Sequence, residues 1–332
     1  YARELMELFT LGLFDPKTGK PNYTEADIQN SARALTGWMP SLIAPFVGQF
    51  NISLHDSTSK TFLGQTGDFA LSDIVNIIFD QGTPSGYTAA YWVCQKIYQE
   101  FVYFVPNTSV IDAMANIMLK NSFAIAPVMQ ALLSSAHFYD NSVIGAQIKS
   151  PVTYVGTLVR EFAMTYPAFD PTEPFVLSTD ATGINTYSDP NPTLTLLTAI
   201  CNQQGQELLN PPNVKGWPGG ETWLSAGSFE NRELYSAYMT GDLLDGNTIN
   251  GVTYNLAFHP VQYRGQITNS STMNEGQLFS ALETVSLPVA LKSGGLEAGT
   301  LTPDPSATDD LNDNAVPKFA VALTQLPEFQ LF

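Results

Sequence analysis

The chain has 332 residues, 44% of them hydrophobic, ample for a real core in one large domain or two smaller ones. Its 14 basic residues against 31 acidic ones give a net charge of −17 with no Lys/Arg cluster, so a phosphate backbone or an anionic membrane would be repelled. Charged residues are only 14%, below the roughly 25% of ordinary soluble domains, so the polar surface must be built from Asn, Gln, Ser and Thr, a balance common in exported proteins.

In "YARELMELFTLG", Tyr1, Leu5, Leu8 and Phe9 fall on one α-helical face, and Gly12 follows where a left-handed C-terminal cap belongs. "FDPKTGKPN" is a turn by composition. The next helix has Thr24 as N-cap with Asp27 three residues on, apolar residues at Ile28, Ala32 and Leu35, and Gly37 as its stop. Residues 39–68 lack a 3.6 period and carry five Pro and Gly turn formers, which predicts a long loop with room for a short hairpin.

Helices resume with Leu71, Ile74, Val75 and Ile78 on one stripe, and "YTAAYWVCQKIYQEFV" and "SVIDAMANIMLKN" continue the pattern. The Met and aromatic residues of 87–119 are a core stripe. Pro127 is tolerable in a first turn, and Ser150 with Pro151 opens another helix. Residues 166–192 form a Pro/Asp-rich linker or excursion. "TLTLLTAICNQQG" is helical, "NPPNVKGWPGGETW" is a loop, and "SFENRELYSAYMTGDLL" is a helix with Ser228 as its cap. Residues 245–275 are irregular or weakly β. Two last helices flank an acidic loop at 293–314. No repeat of fixed period suggests a solenoid, and the longest apolar runs fall well short of the roughly 18 residues of a membrane span. The fold class expected is therefore mainly α: a single multi-helix, bundle-like domain over 1–332 with long ordered loops and little β.

Cys94 and Cys201 form either one bridge or two buried thiols. Glu4 and Glu7 share a helix with Arg3, and two carboxylates on one helix can do acid–base work or join an ion-pair network reaching Arg33. His55 beside Asp56 can orient a base or bind a metal, or simply belong to a loop tied by Asp side-chain hydrogen bonds. In the 210–224 loop, Trp217 and Trp223 can meet a sugar ring or a partner, or plug the loop onto the helices, with Lys215 and Glu221 on either side. Asp309, Asp310 and Asp313 can attract Ca²⁺, although the Gly and Glu of an EF-hand loop are absent. There is no nucleophile elbow, P-loop or dinucleotide fingerprint, so no cofactor is expected.

Four segments, "YARELMELFTLG" with "YTEADIQNSARALTGW", "HDSTSKTFLGQTG", "GQELLNPPNVKGWPGGETWLS" and "LTQLPEFQL", resemble in order the bacterial domain-of-unknown-function 1800 family and bracket residues 1–331. The resemblance implies that Tyr1 is internal to a longer domain, that the protein is exported, and that it works beside a sulfatase- or phosphatase-like protein often encoded next to such genes. It brings no agreed activity. Many relatives carry His where Phe9 stands, so a role for that His does not transfer. Two functions follow as expectations. One is a secreted or envelope interaction protein that displays the 39–68 and 210–224 loops and so carries an aromatic patch. The other is an exported hydrolase of a carbohydrate-like substrate, using Glu4, Glu7 and Asp56 beside Trp217, which requires carboxyl groups roughly 5–10 Å apart in a cleft.

Overall fold

The computed structural model describes residues 1–40, 47–166, 192–240, 256–267, 273–289, 291, 303 and 315–332, and the backbone of strands at 176–179, 185–188, 245–249 and 252–255. The molecule is mainly α-helical, with small two-stranded antiparallel hairpins between helices. Its internal contacts divide the chain into two compact units, Tyr1–Val143 and Ile144–Phe332.

The first unit opens with α1 (Ala2–Glu4), which widens at once into a π-helical segment, Leu5–Thr10. The widening changes which side chains are buried. Leu11 N donates to Met6 O at 2.8 Å, a bond spanning five residues, so inward positions recur every four to five residues as Ala2, Met6 and Leu11. The α-spaced set Tyr1, Leu5, Leu8 and Phe9 is therefore not the buried face; Tyr1 and Phe9 are exposed. Gly12 does adopt the left-handed cap, at φ +71°, and a Cβ there would lie 2.6 Å from the Trp92 ring.

Helix α2 (Glu25–Ala34) has the expected capping box: Asp27 N donates to Thr24 Oγ1, and Thr24 N to Asp27 Oδ2 at 2.8 Å. Its buried line is Asp27, Ser31 and Ala34, while Ala32 is exposed, because Asp27 Oδ1 also accepts Leu63 N at 2.8 Å and pulls that face toward the following strands. The stretch expected to be a long loop with room for one short hairpin holds two: β1 (Trp38–Pro40) with β2 (Gly48–Phe50), and β3 (Lys60–Phe62) with β4 (Gln65–Gly67). Then come α3 (Leu71–Ile78), α4 (Pro84–Phe101), α5 (Thr108–Lys120) and α6 (Ile125–Leu133), with α4 packed on α5 and α5 on α6. In α3, Ile77 is buried with Ile74 and Ile78, whereas Val75 lies at the solvent edge. The Met/aromatic stripe is core: Tyr91, Cys94, Tyr98, Met114 and Met118 form one cluster.

The second unit contains α7 (Pro151–Glu161), capped by Ser150 as expected, β5 (Val176–Thr179) paired with β6 (Asn185–Ser188), α8 (Pro192–Gln203), α9 (Ala226–Thr240) and β7 (Asp245–Ile249) paired with β8 (Val252–Asn255). It ends with α10 (Pro260–Ile267), α11 (Glu275–Ser286) and α12 (Val316–Thr324). Helix α9 begins two residues before Ser228. Its cap is Ser225, whose Oγ accepts Ser228 N at 3.1 Å, while Ser228 Oγ donates to Trp223 O and fixes the preceding loop. Most of the 166–192 excursion, and the 293–314 loop apart from Pro303, lie outside the described residues.

Both cysteines are free and buried, one in each unit, so the two-thiol alternative holds. Burial pushes the Cys94 thiol up to about 12 and Cys201 up to about 11, which makes both inert.

Candidate interaction surface

The most unusual surface of the first unit grows from the C-terminal end of α2. Leu35 caps the helix, and Gly37 at φ +92° turns the chain outward. A Cβ at Gly37 would meet Asn51 O and the Phe50 ring, each at 2.9 Å, so only glycine lets β1 leave beside β2. Asn51 N donates to Gly37 O at 2.8 Å and closes the base of the hairpin.

In the hairpin Trp38 stands opposite Phe50, with ring centroids 5.4 Å apart, and Phe50 in turn lies 5.5 Å from the His55 ring. All six strand residues are exposed. A helical turn, Ile52–Leu54, follows and shows both of its apolar side chains to solvent, Ile52 at 66% and Leu54 at 56%. With Met39 and Val47, one hairpin and its adjoining turn expose six large apolar side chains. Single exposed apolar residues are ordinary; six on one hairpin and its adjoining turn make this the candidate contact surface of the unit.

Below it, the "HDSTSK" segment is framework. Arg33 Nε donates to Asp56 Oδ2 at 2.8 Å, Thr58 N donates to Asp56 Oδ1 at 2.9 Å, and Asp56 N donates to Thr36 Oγ1 at 2.8 Å. The bond from Arg33, then those from Thr58, hold the Asp56 carboxyl well below the usual carboxylate range. A carboxylate so engaged is a poor proton donor. His55 Nδ1 lies 3.0 Å from Thr36 O, and buried Lys60 bonds to Asp56 O and Thr58 O and reaches Asp68 at 3.3 Å. Together these bonds anchor the hairpin to the end of α2.

Of the first-helix residues, Arg3 pairs across to Glu25 at 2.8 Å, with both partners largely exposed, and Arg33 turns away to Asp56 and Asn30. Glu4 ends α1, and Glu7 lies in the π-helical segment. Both act electrostatically on Tyr23, whose hydroxyl pKa is raised by burial first and then by Glu7. Among the described residues no group of three or more His, Cys, Asp or Glu side chains could hold a metal; Asp309, Asp310 and Asp313 lie outside them.

In the second unit the 210–224 loop separates its two tryptophans. Trp223 is buried as a plug, Trp217 is half-buried, and Lys215 and Glu221 are exposed. The apolar display comes from residues that composition did not single out: Leu209, fully exposed at φ +65°, and Val214, 74% exposed. Their signal was obscured because prolines and tryptophans dominate the segment. Likewise, the Arg33–Asp56 contact that anchors the β1–β2 hairpin spans 23 residues, beyond the reach of a local pattern.

These features define a mainly helical protein with apolar side chains displayed on inter-helix connections and no recognisable metal centre among the described residues. The chain belongs to the family described as protein of unknown function (DUF1800), whose model matches residues 1–331. No curated protein and no solved structure matches it. Among the described residues no helix is long and apolar enough to cross a membrane.

Proposed function

We propose that this is an exported interaction protein of the cell envelope or extracellular space, whose β1–β2 hairpin docks on another exported protein of the sulfatase- or phosphatase-like kind. One observation carries the reading: Trp38, Met39, Val47, Phe50, Ile52 and Leu54 are all exposed on a hairpin that a dense polar network holds at its base. Rigid presentation limits the ordering cost of binding, and two aromatic anchors at the centre of such a patch are the residue type that dominates interface energy. The low charged fraction and the acidic balance support export and argue against a nucleic-acid partner.

The test is co-purification of the wild-type chain and a Trp38→Ser/Phe50→Ser variant with an exported sulfatase- or phosphatase-like protein of the same cells, alongside fractionation of the native cells. Expected are export, a stable complex with the wild type and a drop in affinity of at least about 30-fold in the double variant, with unchanged thermal unfolding. Equal recovery with both proteins, or retention of the native protein in the cytosol, would overturn the reading.

A further inference from the structure

An open groove of about 560 Å³ lies where three segments of the first unit meet: the connection after the π-helical segment, the turn between β3 and β4, and the start of α4. None of them belongs to the β1–β2 hairpin, and the size falls within the range of small-ligand clefts.

The walls are held by bonds within the protein. In the connection, Asp15 N donates to Lys20 O at 2.9 Å and Asn22 N to Leu13 O at 3.1 Å, while Asp15 Oδ1 accepts Lys17 N and Thr18 N. At the β3–β4 turn, Leu63 at φ +46° and Gly64 at φ +80° reverse the chain, and Leu63 N donates to Asp27 Oδ1 at 2.8 Å. In α4, Ser85 Oγ donates to Ile77 O and Thr88 Oγ1 to Pro84 O, each at 3.0 Å. A ligand therefore meets a surface that is already ordered, which lowers the cost of binding.

The groups left over decide the ligand. The exposed Gln65 side chain has no partner among the described residues, so its carbonyl and both amide hydrogens are available. Thr18 Oγ1 accepts Lys20 N at 3.4 Å and keeps its proton to donate. Asn22 Nδ2 donates to Leu11 O and Gly12 O, which leaves its Oδ1 to accept. These groups are neutral and mix donors with acceptors, as sugar hydroxyls do. Pro21, Leu63 and Pro84 add apolar surface for the C–H face of a ring. An anion fits less well: Asp15 shares the groove with Lys20, the chain carries a net charge of −17, and the first turn of α4 is already capped by Gly86 N donating to Thr83 Oγ1. An extended peptide needs a row of open backbone groups, and this groove is lined by a turn, a looped connection and a helix start.

We propose that this groove binds a short neutral oligosaccharide, with Gln65, Thr18 and Asn22 taking its hydroxyls. The test titrates cellotriose, maltotriose and tri-N-acetylchitotriose into the isotope-labelled wild type, Gln65→Ala and Thr18→Val, with trigalacturonate and triglycine as the anionic and peptide alternatives, and follows amide chemical shifts. Expected is saturable binding of at least one neutral trisaccharide with a Kd of about 0.1–5 mM, accompanied by shifts of the Gln65 side-chain amide. Its affinity should fall about 5- to 10-fold in Gln65→Ala and about 2- to 5-fold in Thr18→Val. Should Gln65→Ala fail to fold, the Gln65 shifts in the wild type and the loss in Thr18→Val decide. No saturable binding of any of these trisaccharides at about 20 mM would overturn the proposal. So would binding that leaves the Gln65 amide unmoved, an affinity unchanged in the variants, or tighter binding of trigalacturonate or triglycine.

Discussion

Each unit contains an arginine that gathers distant segments, and the two do so by different physics. Arg33 in the first unit is part-exposed and neutralised: its guanidinium pairs with Asp56 and adds Asn30 and Thr58. Arg232 in the second unit is fully buried, and among the described residues no carboxylate pairs with it. It donates instead to Gln204 Oε1 at 3.0 Å, Gln330 Oε1 at 3.1 Å and Lys149 O at 2.8 Å, and lies 4.8 Å from the centroid of the Tyr154 ring. Burial lowers its pKa to about 10, yet it stays charged at neutral pH. The first arrangement is a charge pair that water and salt can weaken; the second is a set of directed bonds that works because solvent is excluded.

The largest effect expected from this contrast is at Arg232. Replacing it with Met would fill most of the volume but leave three buried acceptors without a donor, and α9 would lose its ties to α8, the approach to α7 and the C-terminal Gln330. The expected loss is about 3 kcal/mol or more, measured by urea unfolding. Arg232→Lys should recover only part of it, because one ammonium on a flexible stem cannot reproduce a planar fork. A loss of less than about 1 kcal/mol in the Met variant would show that Arg232 does not organise the second unit.

Local patterns made α2, α4, α5 and α7 legible, because their caps and stripes are set by residues within one or two turns: Thr24 with Asp27, or Ser150 with Pro151. The opening helix was misread at its face because nothing in "YARELMELFTLG" announces that its bonds will span five residues. Arg232 sits in "SFENRELYS" like any surface residue of an amphipathic helix. Its partners lie 28, 83 and 98 positions away, so only tertiary structure reveals that it is buried. The candidate surface was half legible: turn composition located the 39–68 region, whereas the hairpin register that turns Trp38 and Phe50 outward came from long-range anchoring.

A smaller effect comes from Lys149, whose carbonyl serves Arg232 and whose ammonium donates to Phe329 O at 2.6 Å. Burial, opposed by Glu161 and aided by Arg232, lowers its pKa from 10.5 to about 8. A base whose folded pKa lies below its unfolded value destabilises while charged. That cost is complete below about 8 and fades as pH rises toward 10.5. The wild type should therefore gain on Lys149→Met by about 1 kcal/mol between pH 7 and pH 9 in paired urea titrations. The thiols of Cys94 and Cys201, which also titrate in the alkaline range, are common to both proteins and cancel. A constant difference across that range would mean that the ammonium is solvated.

The smallest effect belongs to Asp56, and it tests the other side of the contrast. Its carboxyl is depressed chiefly by Arg33, so the stability it contributes is present above its unfolded value near 3.8 and is lost as pH falls through and below that point. Asp56→Asn should lower the melting temperature slightly at pH 6, and the gap to the wild type should begin to narrow near pH 3, where the unfolded carboxyl takes up protons while the native one is still ionised, and keep narrowing at lower pH. Because the pair is part-exposed, molar salt should also narrow the gap at pH 6. The Arg232→Met defect should ignore salt, since its partners are neutral and no water reaches them. If salt weakened both defects alike, the two arginines would differ only in position, and the distinction between a charge pair and a directed buried network would fail.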